Sequence, residues 1–383
     1  MGVQVIAKTR RDAVKDKEEH AMNHKIFGSA VLAAAIGLGA AIFAPAGEAA
    51  TREEIAAMEV SPSGDLRYWT EDSVAKETLV SYVRDVTNMG SENFIPVADR
   101  IAVFDMDGTF LCETAPYYFE WMLYLDRAIH DANYTPKPSY RKYAEAIESA
   151  IRKTGEFPKG VDVGEARAQQ AVFAGMTPAE YEAYVRNFME KPVEGLTNLK
   201  WGEAFYLPMV EVIKYLQANN FTVYVVSGSD RPTVRILSCE ILGLAPAQVI
   251  GSDTRMIAAG QGDKDGLDYL YGKEDYLVRG QLVEKVLKMN KVSIIAQEIG
   301  QQPVLAFGNS NGDSSMLNYT VYGNKYKSAS FMVLCDDLER ELGNIKKAEK
   351  CRELADTYGW TPISMRDDFA TIYGDDVTRT DKQ

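Results

Sequence analysis

Two aspartates one residue apart, Asp105 and Asp107, follow directly on the apolar run IAVF in the stretch IAVFDMDGTF. Carboxylates at the end of a buried strand are costly unless something pairs with them. They either cap a turn or hold a cation and do chemistry. Two later apolar runs end similarly, in small polar residues: YVVSGSD carries Ser227 and Gly228, and LAFGNSNGD carries Asn309 and Asp313. One strand ending in aspartate means little. Three such ends, far apart in the chain, define a site if their strands lie in one open α/β sheet, where ligands bind at the carboxyl ends of strands.

The supply of other chemical groups is short. The chain has three histidines, His20, His24 and His130, and the first two lie in or before an apolar N-terminal segment. His130 alone hardly builds a Ser-His-Asp triad, a histidine-rich zinc site or a histidine-nucleophile phosphatase, so carboxylates are left with the acid–base work. The four cysteines, Cys112, Cys239, Cys335 and Cys351, show no CxxC spacing, which weakens metal-cluster and thioredoxin readings. They read as buried thiols, with one disulfide open outside the cytoplasm. The acids of DKDGLD, residues 263–268, do not follow the EF-hand spacing and read as a turn.

The elements that must hold these residues are legible in the periodicity. Residues 73–87 predict a helix with Leu79, Val83 and Val86 on one face and Asp72 or Ser73 as N-cap. From about 115 to 200 there is little strand signal, and residues 139–154 and 177–191 predict helices, the second opened by Thr177-Pro178. Beyond 200, strand and helix alternate again. Residues 231–243 predict a helix with Pro232 in its first turn and Gly243 at its end, and residues 254–284 predict a hairpin or flap. Short continuous apolar strands separated by helices mean a Rossmann-like parallel sheet covered by helices on both faces. The expected organisation is a core of residues 50–114 and 201–373, a helical cap at 115–200 and a polar tail at 374–383 that frays.

The segments RIAVFDMDGTFLCE, VYVVSGSDR and IGQQPVLAFGNSNGDSSML, in this order, resemble the phosphatase branch of the haloacid dehalogenase superfamily. More closely they are similar to secreted or periplasmic phosphoserine-phosphatase-like hydrolases of bacteria, over roughly residues 65–365. The resemblance implies Asp105 as a nucleophile that forms an aspartyl-phosphate, and Asp107 as general acid and base. It implies that Thr109 positions the carboxylates, and that Ser227 and the Gly228 N–H hold a phosphoryl oxygen beside the helix that begins near Arg231. A lysine is expected between the second and third turns; Lys285, Lys288 and Lys291 compete, and the family pattern favours Lys291. A carboxylate meeting a phosphate is repelled by about 4 kcal/mol per charge pair at 4 Å and an effective dielectric near 20. Mg²⁺ and a lysine would offset that. The implied metal set is Asp105, the Asp107 carbonyl, Asn309 and Asp313, the last as ligand or outer anchor. Asn309 departs from the commoner acid at its position, and Asn311 is neutral as well.

Substrate selection is weakly written. The family's cap position matches residues 115–200, and Arg231 is a candidate for a second anion or a surface pair. Tyr117, Tyr118 and Trp121 read as core more than pocket. Glu113 lies near the position of an amine-binding glutamate in phosphoserine phosphatases, at a different offset, and that role is not carried over.

Residues 26–46 carry no charge, follow Lys25 and end in Ala44-Pro45-Ala46, the pattern of a secretory signal with cleavage after Ala46 or Ala49. Met22 is an alternative start. Residues 1–49 are therefore set apart from the fold, and export to a bacterial periplasm or surface is expected, without stable membrane insertion once cleaved. The net charge of −13 argues against nucleic acid as a partner. The expected activity is hydrolysis of a small phosphorylated metabolite. The alternatives are phosphotransfer and a phospho-ligand or metal-binding protein with weak or no turnover.

Overall fold

The computed structural model describes residues 49–154 and 162–380. The expected signal segment, apart from its last residue, lies outside the described residues. The chain enters through α1 (Arg52–Ala56) and α2 (Val74–Thr87) and reaches β1 (Ile101–Phe104). Ser73 caps α2 by accepting the Lys76 N–H, and the helix buries Leu79, Val83 and Val86 as its periodicity requires. Four helices without a strand follow: α3 (Phe119–Leu125), α4 (Pro138–Thr154), α5 (Asp162–Val172) and α6 (Pro178–Met189). Thr177 opens α6 with a capping box to Glu180. Then come α7 (Leu207–Ala218), β2 (Thr222–Asp230), α8 (Arg231–Leu242), β3 (Val249–Ala258) and β4 (Leu277–Glu284). The chain finishes with α9 (Met289–Ile294), β5 (Leu305–Gly308), α10 (Ser314–Val321), β6 (Ala329–Leu334), α11 (Ile345–Tyr358), β7 (Thr361–Ser364) and α12 (Met365–Asp368). Helix α8 has Pro232 in its first turn and ends in Gly243 at φ +64°, a left-handed C-cap.

The seven strands form one sheet in the order β4-β3-β2-β1-β5-β6-β7. All neighbours are parallel except β3 and β4, which form the antiparallel hairpin expected at 254–284. The central strand β1 is buried at every position and lies between β2 and β5, with Phe104 in register with Val225 and Phe307. The Phe104 and Phe307 rings stack at 4.2 Å, and Phe307 and Phe331 at 4.9 Å, so β1, β5 and β6 are locked together near their carboxyl ends. This topology brings the three polar turns together: they leave adjacent parallel strands at the same edge.

One expectation changes. The tail does not fray over its described part: Thr378 and Thr197 exchange main-chain and hydroxyl hydrogen bonds, the Thr380 N–H donates to the Gly195 carbonyl, and Val377 is buried. A polar segment orders when its backbone groups find partners, which composition does not reveal. All four cysteines are free thiols, with Cys112, Cys335 and Cys351 buried. Among the described residues no helix is long and apolar enough to cross a membrane.

Candidate active site

Asp105 is the first residue beyond β1, and its N–H donates to the Phe307 carbonyl at 2.9 Å. Gly108 then turns the chain at φ +77°, and its N–H returns to the Leu111 carbonyl at 2.7 Å. The two acids are thus held on one tight loop, both almost fully buried. Lys291, in α9, comes to Asp105 from 186 residues away. Its Nζ stands 2.6 Å from Asp105 Oδ1 and 2.7 Å from Asp313 Oδ1, and donates to the Val226 carbonyl at 2.7 Å. Lys288 is exposed at the start of α9, and Lys285 lies 3.6 Å from Glu120, so Lys291 alone of the three candidates reaches the first aspartate.

Burial would lower the Lys291 ammonium, but the Asp105 and Asp313 carboxylates outweigh it and hold it above its ordinary value. Burial, then the Asp313 charge, push Asp105 up to about 7 against the pull of Lys291. Asp107 is raised well above the carboxylate range, first by burial and then by Asp105. Two adjacent carboxyls therefore have separate environments: one faces a lysine, the other does not.

Asp107 has a partner that sequence reading passed over. Ser229, the third residue of SGSD, donates from Oγ to Asp107 Oδ2 at 2.7 Å, while Asp107 Oδ1 is buried without a hydrogen-bond partner among the described residues. Ser227 is fully buried and its Oγ accepts the Ser229 N–H at 3.1 Å. The Ser252 hydroxyl pins the Gly228 carbonyl at 2.6 Å. Thr109, expected to position the carboxylates, is fully buried, and its Oγ1 is unpartnered among the described residues, so its hydroxyl bonds neither acid here.

Arg231 is a correction. Its guanidinium is bound by Glu298 at 2.6 Å and by Asp253 at 3.0 Å, so it makes the surface pair and its charge is shared between two carboxylates rather than offered to a substrate anion. Sequence position at a helix start did not say which way the side chain would turn. Asp313, expected among the metal ligands, spends Oδ1 on Lys291 and Oδ2 on the Asn309 N–H, the Ser310 N–H and the Ser310 hydroxyl. It shapes the loop as an anchor. Gly308 allows this: a Cβ there would lie 2.5 Å from Asp313 Cβ.

Two ion pairs flank the loop, one half-buried and one fully buried, and neither has a local sequence signal. Glu113 packs against Gly108 and is paired with Lys347 of α11. Asp230, at the end of β2, meets Arg279 of β4 at 3.1 Å, both fully buried, with the guanidinium 3.7 Å from the Tyr181 ring. Gln170 of α5 bridges the two, donating to Asp230 and accepting from Arg279. The Asp230 N–H donates to the buried Glu120 of α3 at 2.7 Å. Trp121 is buried as expected, and Tyr117 and Tyr118 are half-buried with rings 4.3 Å apart. Burial, then Tyr117 and Glu113, raise the Tyr118 phenol.

The donor set is suited to a hard cation. Among the described residues no three His, Cys, Asp or Glu side chains gather around a common point. Mg²⁺ does not need such a cage: it takes one or two carboxylates and keeps positions for water and substrate phosphate. The Asp105 carboxylate, the Asp107 carbonyl and the Asn309 amide supply oxygen donors. Asn309 is buried against Gly108, with its amide nitrogen, a hydrogen-bond donor, unpartnered among the described residues; turned end for end, the amide would offer its oxygen at that position.

The family model described as haloacid dehalogenase-like hydrolase matches residues 102–318. No curated protein matches the chain. Among solved structures, the chain is similar to a conserved functionally unknown protein of Anaerococcus prevotii, with 15% identity over 78% of this chain and 93% of that one and a TM-score of 0.47. A protein of unknown function from Bordetella pertussis matches at 16% identity over 69% and 97%, with a TM-score of 0.44. A probable phosphoserine phosphatase from Vibrio cholerae matches at 14% identity over 69% and 65%, with a TM-score of 0.34.

Proposed function

The chain belongs to the haloacid dehalogenase-like hydrolase family, and on that premise we propose that it is an exported, Mg²⁺-dependent phosphatase. It would cleave a small phosphate monoester through an aspartyl-phosphate. The observation that carries this reading is the pairing of Asp105 with Lys291, beside an Asp107 whose carboxyl is held by Ser229 and by no cation among the described residues. The apolar segment of residues 26–46 motivates export.

In the first half-reaction Asp105 attacks phosphorus and the bond to the ester oxygen breaks. Asp107, whose burial favours the protonated form, gives its proton to that departing oxygen, and the alcohol leaves. In the second, Asp107, now a carboxylate, takes a proton from water as the water oxygen attacks phosphorus. The bond to Asp105 breaks and inorganic phosphate is released. Lys291 holds Asp105 in place and offsets charge on the phosphoryl group, while Ser227 and the Gly228 N–H stand at the neighbouring strand end to hold a phosphoryl oxygen. Mg²⁺, held by Asp105, the Asp107 carbonyl and Asn309, would neutralise phosphate charge and keep Asp105 ionised.

The test is phosphate release from p-nitrophenyl phosphate by the mature protein. Wild type is expected to turn over with Mg²⁺ and to lose activity with chelator, and Asp105→Asn to be inactive. Turnover retained by Asp105→Asn sinks the nucleophile.

A further inference from the structure

Among the described residues the Asp107 carboxyl carries one hydrogen bond, on one oxygen, and the donor is Ser229. An acid that must hand over a proton needs a defined oxygen to hand it from. The hydroxyl proton on Oδ2 disfavours a second proton there, and Oδ1 is left as the buried oxygen without a partner among the described residues. We propose that Ser229 is the positioning residue of the proton transfer: it fixes the Asp107 carboxyl so that Oδ1 faces the departing ester oxygen. The inference rests on the phosphatase reading above.

The surroundings of Ser229 are built to hold its hydroxyl still. Its N–H is bound to Ser227 Oγ at 3.1 Å, in the same turn that would receive phosphate. The next residue, Asp230, is gripped at its N–H by Glu120 of α3, and at its carboxylate by Gln170 of α5, Thr254 of β3 and Arg279 of β4. Of these partners Glu120, Gln170 and Arg279 are buried. The helical block and the hairpin therefore converge on the backbone that carries Ser229. Beside it the β2–β3 register shifts between Val226 and Asp230, the irregularity that lets the strand end turn Ser229 toward β1. A hydroxyl that merely satisfied a buried carboxyl would need none of this on its own backbone.

The bond-making is that of the first half-reaction. As the Asp105–phosphorus bond forms and the ester P–O bond breaks, the proton moves from Asp107 Oδ1 to the ester oxygen, and Asp107 becomes the carboxylate. A misaligned acid hurts most where the leaving group most needs protonation. A p-nitrophenolate leaves unaided; phenolate and alkoxides do not.

The experiment compares kcat/KM, which reports only steps up to alcohol departure, for p-nitrophenyl phosphate, phenyl phosphate and β-glycerophosphate. Ser229→Ala is expected to lose roughly tenfold more on phenyl phosphate and β-glycerophosphate than on p-nitrophenyl phosphate, a part of the roughly 10²–10⁴-fold that the whole general acid contributes. In an Asp107→Asn background, Ser229→Ala is expected to cost less than about twofold on p-nitrophenyl phosphate, because the two act as one unit. Equal losses on all three esters, no loss, or a full second loss in the Asp107→Asn background would overturn the role and leave Ser229 a packing group. The last comparison stands even if the single variant is less stable. A wild type inactive on every ester removes the phosphatase reading and this inference with it. An active wild type with a dead Asp105→Asn and a flat leaving-group profile removes this inference alone.

Discussion

A methyl group on Gly108 would lie 1.9 Å from the amide nitrogen of Asn309. The two residues belong to different strand ends, and their contact is what closes the loop carrying Asp105 and Asp107 against the loop carrying Asp313. The same methyl would lie 2.4 Å from Glu113 Cδ, and Gly108 has φ +77°, a conformation side chains rarely adopt. Gly108→Ala is expected to push the two loops apart and cut phosphate release by about 100-fold, the scale of a 1 Å misplacement. Steady-state kinetics beside a circular-dichroism melt checks this. A folded variant with near-normal turnover would mean the close approach is not needed.

Lys347 pairs with Glu113, whose side chain is 2% exposed and lies against Gly108. Removing the ammonium leaves a buried carboxylate facing the incoming phosphate. Lys347→Met is expected to weaken competitive inhibition by inorganic phosphate about tenfold, or ~1.4 kcal/mol. Adding Glu113→Gln is expected to restore most of it, since the two changes are coupled. An inhibition constant unmoved by Lys347→Met would show that Glu113 does not act on phosphate.

The Asp230–Arg279 pair is fully buried. Breaking it by Arg279→Met leaves an uncompensated buried carboxylate, which costs about 3–5 kcal/mol. Urea denaturation is expected to show that loss, and the double variant Arg279→Met/Asp230→Asn to recover part of it. A midpoint unchanged in Arg279→Met would count against the pair as a structural lock.

Glu211 in α7 accepts the N–H groups of Arg67 and Tyr68 at 2.7 and 3.1 Å. Burial nevertheless pushes its carboxyl up to about 7, against those two bonds. The folded state then keeps a proton that the unfolded chain gives up near its ordinary value of 4.5. Stability from this group is complete below that value and falls as pH rises toward 7, then levels, at up to about 1.4 kcal/mol per pH unit. Urea midpoints at pH 5 and pH 8 are expected to differ more for wild type than for Glu211→Gln. Parallel pH dependence in the two proteins would refute it.

What the chain announces by itself is local. IAVF is buried and continuous because β1 is covered on both faces. Ser73, Thr177, Pro232 and Gly243 mark helix ends because caps and left-handed turns are satisfied within three or four residues. The order of three apolar strands, each opening into a polar turn, was enough to expect a parallel sheet and a shared site, since adjacent parallel strands end at one edge. Tertiary structure decided the rest. Ser229 reaches Asp107 across 122 residues and Lys347 reaches Glu113 across 234. Arg231 turns to Asp253 and Glu298 instead of the site, and the tail finds backbone partners at residues 195–197. A side chain's periodicity names the face it lies on, but the partner it meets depends on which distant element packs there. Charge pairing and hydrogen bonding at the ends of elements are settled by that packing.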